Sequence, residues 1–514
     1  MAPSVHFSPF TRGWLSRLVP LGLLGLLAGC ALQDAPKNPE ILNTTATELV
    51  IPKQWAEGVS SESEVVVNWP DSFQDPQLNE LIQQALAYNT NLQAAEARMQ
   101  QAASGVAVAG SALYPNLAGD GKAGTHLGGA NGGLRGWLVS STWELDVWGR
   151  VRYGRRAAME EYVSAQYDIA YARQSLVAEV ATGWFLAKQA RQQTLILENV
   201  IKASEELVEI AKTRWDVGSG NEQDYLTAKA SINEFRSELE QTRLAYKSAV
   251  RALEVLVGHY PAAQLDVTPE LPDTLEPIPT GLPAELLDRR PDILAAERNV
   301  ASKFNLVGSA RAARLPKINL TAAVASLSSN FYQLQNISDP LINVGANLIA
   351  PIYMGGELQA RQEGASAQQR EAMAQYATAV LNAFKEVETT LNTLETLEQQ
   401  SSYLNTVVGD TSRTLKLAEL QYEVGQTGMY YVTQLQVDLS EAQLNLLSVR
   451  TQACINRVQL HLVLGGDFGM PETDEEAIDG PANPFNISGL MPEKSTAQHT
   501  PDTQEAETAP TTVN

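Results

Sequence analysis

One stretch of this chain is written twice. Gly149 pairs with Gly356, and 356 − 149 = 207. The same offset pairs Glu179-Val180 with Glu386-Val387, Gly218 with Gly425, Leu239 with Leu446, Arg243 with Arg450, Leu253 with Leu460 and Gly258 with Gly465. No gap is needed between the first and last of these pairs. The fold must therefore be one that two similar halves build together, and duplication within the gene is the simplest origin.

Each copy carries a helix signal of unusual length. Leu197, Ile201, Ser204, Val208, Ala211 and Trp215 are spaced 4, 3, 4, 3 and 4 apart, and Leu404, Val408, Thr411, Leu415, Ala418 and Tyr422 repeat that spacing. Such spacing places the residues on one helix face, as in a coiled-coil seam. Residues 151–217 and 358–424 contain no proline. At 1.5 Å per residue each predicts a helix of roughly 100 Å. Each ends at a glycine, the expected stop. Shorter proline-free stretches follow at 221–257 and 429–464. Helices of that length are unusual in a globular enzyme.

A strand texture precedes each long helix. Segments 116–127 and 134–147 are rich in Gly, Thr, Ser and aromatics. Trp137, Val139, Ser141, Trp143, Leu145 and Val147 alternate with Leu138, Ser140, Thr142, Glu144 and Asp146. The second copy has 318–327 and 341–350, where Ile342, Val344, Ala346 and Leu348 alternate with Asn343, Gly345 and Asn347. Period two is the signal of a half-buried strand. The lengths match the roughly 9–11 residues of a strand that crosses a bilayer. A soluble hairpin packed on a helix fits the same pattern. On the membrane reading Trp137, Val139, Trp143, Ile342, Val344 and Leu348 face lipid. Two hairpins make four strands, and four cannot close a barrel. Open edges cannot face lipid, because their N–H and C=O groups would be unpaired. Membrane barrels begin at about 8 strands, so several chains must share one. Three chains would supply 3 × 4 = 12.

The N-terminus reads as an export signal. Arg12 and Arg17 precede an apolar run from Leu18 to Leu27. That run is shorter than the roughly 20 residues of a spanning helix and fits a signal-peptide core. It ends in Leu27-Ala28-Gly29-Cys30, which resembles the bacterial lipobox. The Cys30 thiol would take an S-diacylglycerol group, and after cleavage its amine an N-acyl chain. The alternative is an ordinary secretory signal with an incidental cysteine. Ala31, rather than Asp, follows the cysteine and favours the outer membrane. Residues 1–29 are thus read as a lipoprotein signal peptide, 30–70 as a lipidated extended leader and 469–514 as an acidic disordered tail.

Composition removes several functions. Lys plus Arg is 37 against 59 Asp plus Glu, a net charge of −22. Such a surface repels phosphate, so no nucleic-acid partner is expected. Two cysteines cannot form a disulfide framework or a four-sulfur zinc site. His6, His126, His259, His461 and His499 are scattered, so no metal site is expected. Gly119-Asp120-Gly121-Lys122-Ala123-Gly124 matches G-x-G-x-x-G, but it continues into strand-like sequence and opens no helix. Neither G-x-S-x-G nor H-E-x-x-H occurs. No catalytic residue, no resident cofactor and no enzyme activity are expected.

Several motifs in order carry a resemblance. They are Phe73-Gln74-Asp75-Pro76-Gln77-Leu78 with Leu81-Ile82, Gly281-Leu282-Pro283-Ala284-Glu285-Leu286-Leu287, and Arg289-Arg290-Pro291-Asp292-Ile293 with Ala296-Glu297. Tyr114-Pro115 and Leu315-Pro316 look like helix-to-strand corners, and Leu464-Gly465-Gly466 like a closing motif. From Trp69 to Phe468 the chain resembles the TolC family of outer-membrane efflux proteins, in particular the lipid-anchored NodT/OprM-like branch. The resemblance implies a mainly α fold with a membrane β-barrel. A homotrimer would form a 12-stranded β-barrel joined to a long periplasmic α-helical barrel. Residues 71–265 and 285–468 would be the two efflux repeats, with 266–284 as linker. Such a protein is a passive duct that works with a periplasmic adaptor and an inner-membrane pump of RND or other type. It exports drugs or other small molecules. A duct for type I protein secretion is the alternative cargo reading. A non-conducting periplasmic scaffold lipoprotein is the alternative class, but it has no need of the strand alternation.

The resemblance also implies a gate at the periplasmic tip, in the turns after Gly218 and Gly425. Two acidic positions that usually ring the pore are Tyr431 and Gln434 here, which suggests a bulky tyrosine plug instead. Asp224 keeps an acid at the first-copy turn. Its bland reading is a helix N-terminal acid worth ~0.3–1 kcal/mol. Tyr422 matches a latch tyrosine whose usual arginine partner is Thr427 here. Arg289 and Arg290 read as a structural start signal for the helix after Pro291, with Asp292 in its first turn. Cys454, among apolar neighbours, reads as a small buried residue. Cys30→Ser is expected to abolish fatty-acid labelling of the protein; labelling that persists would overturn the lipobox reading.

Overall fold

The proline-free runs fold as continuous helices. In chain order the elements are α1 (Asn38–Thr45), α2 (Pro76–Tyr88), α3 (Thr90–Ser111), β1 (Asn116–Ala123), β2 (Arg135–Leu145), α4 (Arg150–Asp216), α5 (Glu222–Leu256), α6 (Pro291–Ala312), β3 (Lys317–Ser328), β4 (Leu341–Ile349), α7 (Glu357–Glu423) and α8 (Met429–Val463). The computed structural model describes residues 32–56, 69–123, 135–272, 278–328 and 341–466, all within the unit Met1–Thr473. Cys30, Gly124 and the acidic tail lie outside the described residues.

Helix bounds recur at the offset seen in the sequence. α4 and α7 have 67 residues each, with 357 − 150 = 207 and 423 − 216 = 207. α5 and α8 have 35 each, with 429 − 222 = 207. Upstream the offset differs: α3 and α6 have 22 residues each, and 291 − 90 = 201. The six extra residues of the second copy lie between the first strand and the long helix, since 357 − 317 = 40 and 150 − 116 = 34.

Helix entry is solved differently in the two copies. Gly149 and Gly356 precede the long helices in the left-handed region, with φ of 76° and 85°. Neither has a side chain to cap with. Before α4 the carboxylate of Asp146 does so, accepting from the N–H groups of Val151 and Arg152 at 2.9 Å each. The position 207 later is the exposed Tyr353. α7 instead has Glu357 in its first turn, where an acid complements the helix dipole.

Helix exit is solved alike. Gly258 and Gly465 follow α5 and α8 with φ of 77° and 74°. A Cβ on Gly258 would lie 2.9 Å from the carbonyl oxygen of Tyr88, and one on Gly465 would lie 3.2 Å from that of Arg289. The next residue is a clamp in both copies. Asn89 caps α3, accepting from Asn91 and Leu92 N–H at 3.0 and 3.1 Å, and its Nδ2 donates to Leu256 O at 2.9 Å. Arg290, at 290 − 89 = 201, donates from Nη1 to Val463 O at 3.2 Å. Its guanidinium also pairs with Asp292 at 3.0 and 2.7 Å and with Glu386 at 2.9 Å. The role of Arg290 is structural: it is the N-cap residue of α6, as the sequence suggests, and its side chain also ties α6, α7 and α8 together.

Two cores follow from these clamps. Trp184 and Phe185 of α4 pack with Phe73, Leu78 and Leu253, while Tyr376 and Val380 of α7 pack with Ile293 and Leu460. Full burial of such apolar side chains contributes about 1.5–3 kcal/mol each. Asp75 caps α2 and accepts from Lys188 Nζ and Trp184 Nε1, both at 2.8 Å. Burial alone would raise its pKa, but these donors outweigh burial and hold its carboxyl below the ordinary value. The leader expectation needs correction. Residues 38–45 are helical rather than extended, with Ile41 and Leu42 buried in the second core. Pro39 sits at the start of this helix, where its missing N–H costs nothing. Trp55 is buried too, its Nε1 donating to Gly281 O at 3.2 Å.

Gly218 and Gly258 share the same φ, but a Cβ at Gly218 meets open space. Gly218→Ala is expected to cost about 1–2 kcal/mol from backbone strain alone. Gly258→Ala adds the Tyr88 clash and should lower the thermal midpoint further. Equal midpoints would remove the close approach as a stabilising feature.

Candidate functional site

Two regions hold the residues singled out in the sequence: the sheet and the helix tips. The sheet has the order β1-β2-β3-β4, antiparallel throughout. Directly opposed residues share a face. The register aligns Val139 with Val324 and Ile342, Ser141 with Ala322 and Val344, Trp143 with Leu320 and Ala346, and Leu145 with Ile318 and Leu348. All six residues expected to face lipid therefore lie on one face, although they come from opposite ends of the repeat. β3 contributes Ile318, Leu320, Ala322 and Val324 to it. The other face aligns Ser140 with Ala323 and Asn343, Thr142 with Thr321 and Gly345, and Glu144 with Asn319 and Asn347. The first face is mostly apolar and the second mostly polar, although the second also carries the row Leu138, Ala325 and Leu341.

Trp137, Val139, Ile342, Val344 and Leu348 are exposed within the chain, Val344 at 79 %. Trp143 differs. It is half-buried, and its Nε1 donates to Leu113 O at 2.9 Å, which pins the corner at Tyr114-Pro115. Trp148 does the same at the second corner, donating to Pro316 O at 2.7 Å. Among the described residues no strand pairs with the outer edge of β1 or of β4. No described helix is long and apolar enough to cross a membrane.

At the other end four helices meet. Leu207 and Ala211 of α4, Ala228 of α5, Ala418 and Tyr422 of α7, and Met429 and Val432 of α8 form one apolar cluster beside the two turns. Tyr422 is buried there at 3 % exposure. The Arg214 guanidinium lies 4.8 Å from its ring centroid, and Arg214 Nη1 donates to Tyr422 O at 2.6 Å. Thr427 is only the nominal successor of the usual arginine. The arginine on Tyr422 comes from α4. A signal for it was present: Arg214 precedes Trp215, and 422 − 215 = 207. Trp215 itself stacks on Tyr225 at 5.6 Å.

Asp224 sits in the first turn of α5, its N–H donating to the capping Asn221 Oδ1 at 2.7 Å. Burial raises the pKa of the Tyr422 hydroxyl, and the nearby Asp224 charge adds to the rise. Asp224 thus lies in the turn beside this cluster, and Tyr422 is part of the cluster itself. Tyr431 and Gln434 are not part of that cluster. Both are exposed on α8, whereas Val432 and Leu435 are buried. Gln434 Nε2 donates to Asp438 Oδ1 at 3.0 Å. Positions 431, 434 and 438 form one stripe by helical spacing. Asp438, overlooked in the sequence, supplies an acid one turn beyond the two lost ones.

Cys454 is buried at 2 % exposure, and burial pushes its thiol up to about 11. Among the described residues no three His, Cys, Asp or Glu side chains converge on a metal-sized site.

Comparison with known proteins agrees with this geometry. The outer membrane efflux protein family pattern matches residues 81–259 and 282–466. The chain is 30 % identical to the pyoverdine export outer membrane protein OpmQ of Pseudomonas aeruginosa, over 87 % of this chain and 97 % of that one. It is 26 % identical to the cation efflux system protein CusC of Escherichia coli, over 88 % and 99 %. The open-state structure of the Neisseria gonorrhoeae MtrE outer membrane channel superposes with a TM-score of 0.73 at 27 % identity, over 85 % and 97 %. This chain belongs to the outer membrane efflux protein family.

The two tip groups can be separated by conductance in planar bilayers. Arg214→Ala removes a cation–π contact worth ~0.5–2 kcal/mol and should shift the closed-to-open ratio about 2- to 30-fold toward open. Tyr431→Ala with Gln434→Ala should raise the conductance of each open channel. An unchanged closed-to-open ratio in Arg214→Ala, or an unchanged open-channel conductance in the double variant, would remove that group from the proposed gate.

Proposed function

We propose that this chain is the outer-membrane duct of a tripartite efflux system, assembled as a homotrimer with one continuous 12-stranded barrel. The observation that carries the reading is the four-stranded sheet, mostly apolar on one face, mostly polar on the other and unpaired at both outer edges among the described residues. In a bilayer such edges must be paired by other strands. Three copies placed β4 to β1 would close the ring. Trp137, Val139, Trp143, Ile342, Val344 and Leu348 would then meet lipid, with the polar face lining the bore.

The helices would extend the duct into the periplasm, and the tips would close it. Asp224 and Tyr422, with Arg214, would hold neighbouring helices in the closed arrangement. Tyr431 and Gln434 would narrow the bore, with Asp438 behind them. Transport is passive in the duct; an inner-membrane pump, reached through a periplasmic adaptor, supplies the energy. The cargo is a small molecule, in keeping with relatives named for pyoverdine, cations and antibiotics. Cys30 would carry the S-diacylglycerol group and N-acyl chain that fix the N-terminus in the outer membrane.

Two measurements test this. Native mass spectrometry of the detergent-extracted protein should give three chains; a monomer would overturn the shared barrel. A deletion strain should accumulate fluorescent dyes or toxic compounds, and restoring the gene should reverse it. Unchanged accumulation across the panel, with a protein missing from the medium, would move the reading to secretion.

A further inference from the structure

At the junction of strands and helices a cavity of about 200 Å³ opens between the first described leader residues and the end of α6. Trp148, Phe304, Val307 and Leu315 give it apolar walls, and Gln33 and Arg311 give it polar ones. Leu315 directly precedes Pro316 and β3, so the cavity adjoins the start of the sheet.

The leader is held there by contacts with the helices. Gln33 N–H donates to Tyr153 Oη at 3.0 Å. Leu32 packs so closely on Gly149 that a Cβ there would come within 2.8 Å of its Cδ2. Gly308 makes room for Tyr153, since a Cβ on it would fall 2.7 Å from the ring. Arg311 is exposed, and its guanidinium makes no hydrogen bond or ion pair with any described residue. By contrast Arg150 and Arg152 are paired with Glu144 and Asp146. An unpaired guanidinium beside an apolar cavity suits a ligand with oxygen acceptors at one end and hydrocarbon at the other.

The length of chain outside the described residues names that ligand. Cys30 precedes Leu32 by two residues, and two residues span at most about 7 Å. We propose that the cavity seats the lipid of Cys30. The first methylenes of one S-diacylglycerol chain lie against Trp148, Phe304, Val307 and Leu315, and Arg311 donates to the glyceryl ester oxygens. The cavity is too small for a whole acyl chain, so the remainder passes on to the bilayer. The anchor would then be a fixed part of the junction rather than a loose tether. This rests on the lipidation of Cys30.

The test uses the full chain in cells fed a diazirine-bearing fatty acid. Intact mass comes first: a mature protein without acyl groups would overturn the lipidation itself. Irradiated, acylated protein is then digested and sequenced by mass spectrometry. The expected product is a branched peptide that joins the Cys30 peptide, through its acyl chain, to residues 304–315 or 148–153. That product identifies the anchor even if Cys30→Ser fails to assemble. Val307→Trp fills the cavity and should lose the branched product while the strands keep their phospholipid adducts. Two results would overturn the proposal. One is Cys30 joined only to strand peptides. The other is a cavity that carries only free phospholipid adducts.

Discussion

The outer N–H and C=O groups of β1 and β4 need partners that this chain's described residues do not supply. Water could satisfy them, but hydrocarbon cannot. The face that carries Val139, Val324 and Ile342 is apolar, so water is not its natural solvent. In a bilayer these two facts would be met by the proposed closed ring of more than one copy. Much of the remaining architecture is placed to serve such a ring. The corners are tied by Trp143 and Trp148, whose indoles reach the backbone just before each sheet segment or at its start. The long helices then leave the junction from fixed positions.

The two halves meet at the helix ends, where one geometry is filled by different chemistry. Asn89 and Arg290 both reach the last carbonyl of a 35-residue helix, one as a capping amide and the other as a buried guanidinium. Glu254 and His461 occupy equivalent places, since 461 − 254 = 207. Burial raises the Glu254 pKa, but three backbone N–H donors, from Ala263, Gln264 and Leu265, outweigh it and lower the net value. His461 stacks on Trp69 at 5.2 Å, and burial aided by the Arg457 charge pushes its pKa down to about 3. It is therefore a neutral ring in a core. Backbone geometry persists across the copies because left-handed glycines and close approaches leave it few alternatives. Side-chain chemistry drifts because several polar solutions satisfy the same buried groups.

At the tips the same separation has a functional side. Arg214 and Tyr422 join α4 to α7, so the first copy is latched to the second within one chain. Tyr431, Gln434 and Asp438 take no part in that latch and stay exposed on α8. In the proposed duct, holding the helices and narrowing the bore would therefore fall to different residues, so that one could change without the other.

The sequence by itself determined the helices, the strands and their duplication. Each rests on a local period: 3 and 4 for Leu197 to Trp215, 2 for Trp137 to Val147, and glycine at every positive-φ stop. Periods are visible because backbone geometry repeats from residue to residue. The helix at residues 38–45 of the leader is not legible in the sequence, because a single apolar pair at Ile41 and Leu42 has no period to detect. Only the tertiary structure decided which residues meet. It put Arg214 on Tyr422, made the helix-start residue Arg290 a clamp as well, placed β3 between the two halves of one apolar face, and set Leu32 beside a cavity. These contacts join segments up to hundreds of residues apart. Their partners are chosen by the packing of whole helices, a property that no local stretch of sequence carries.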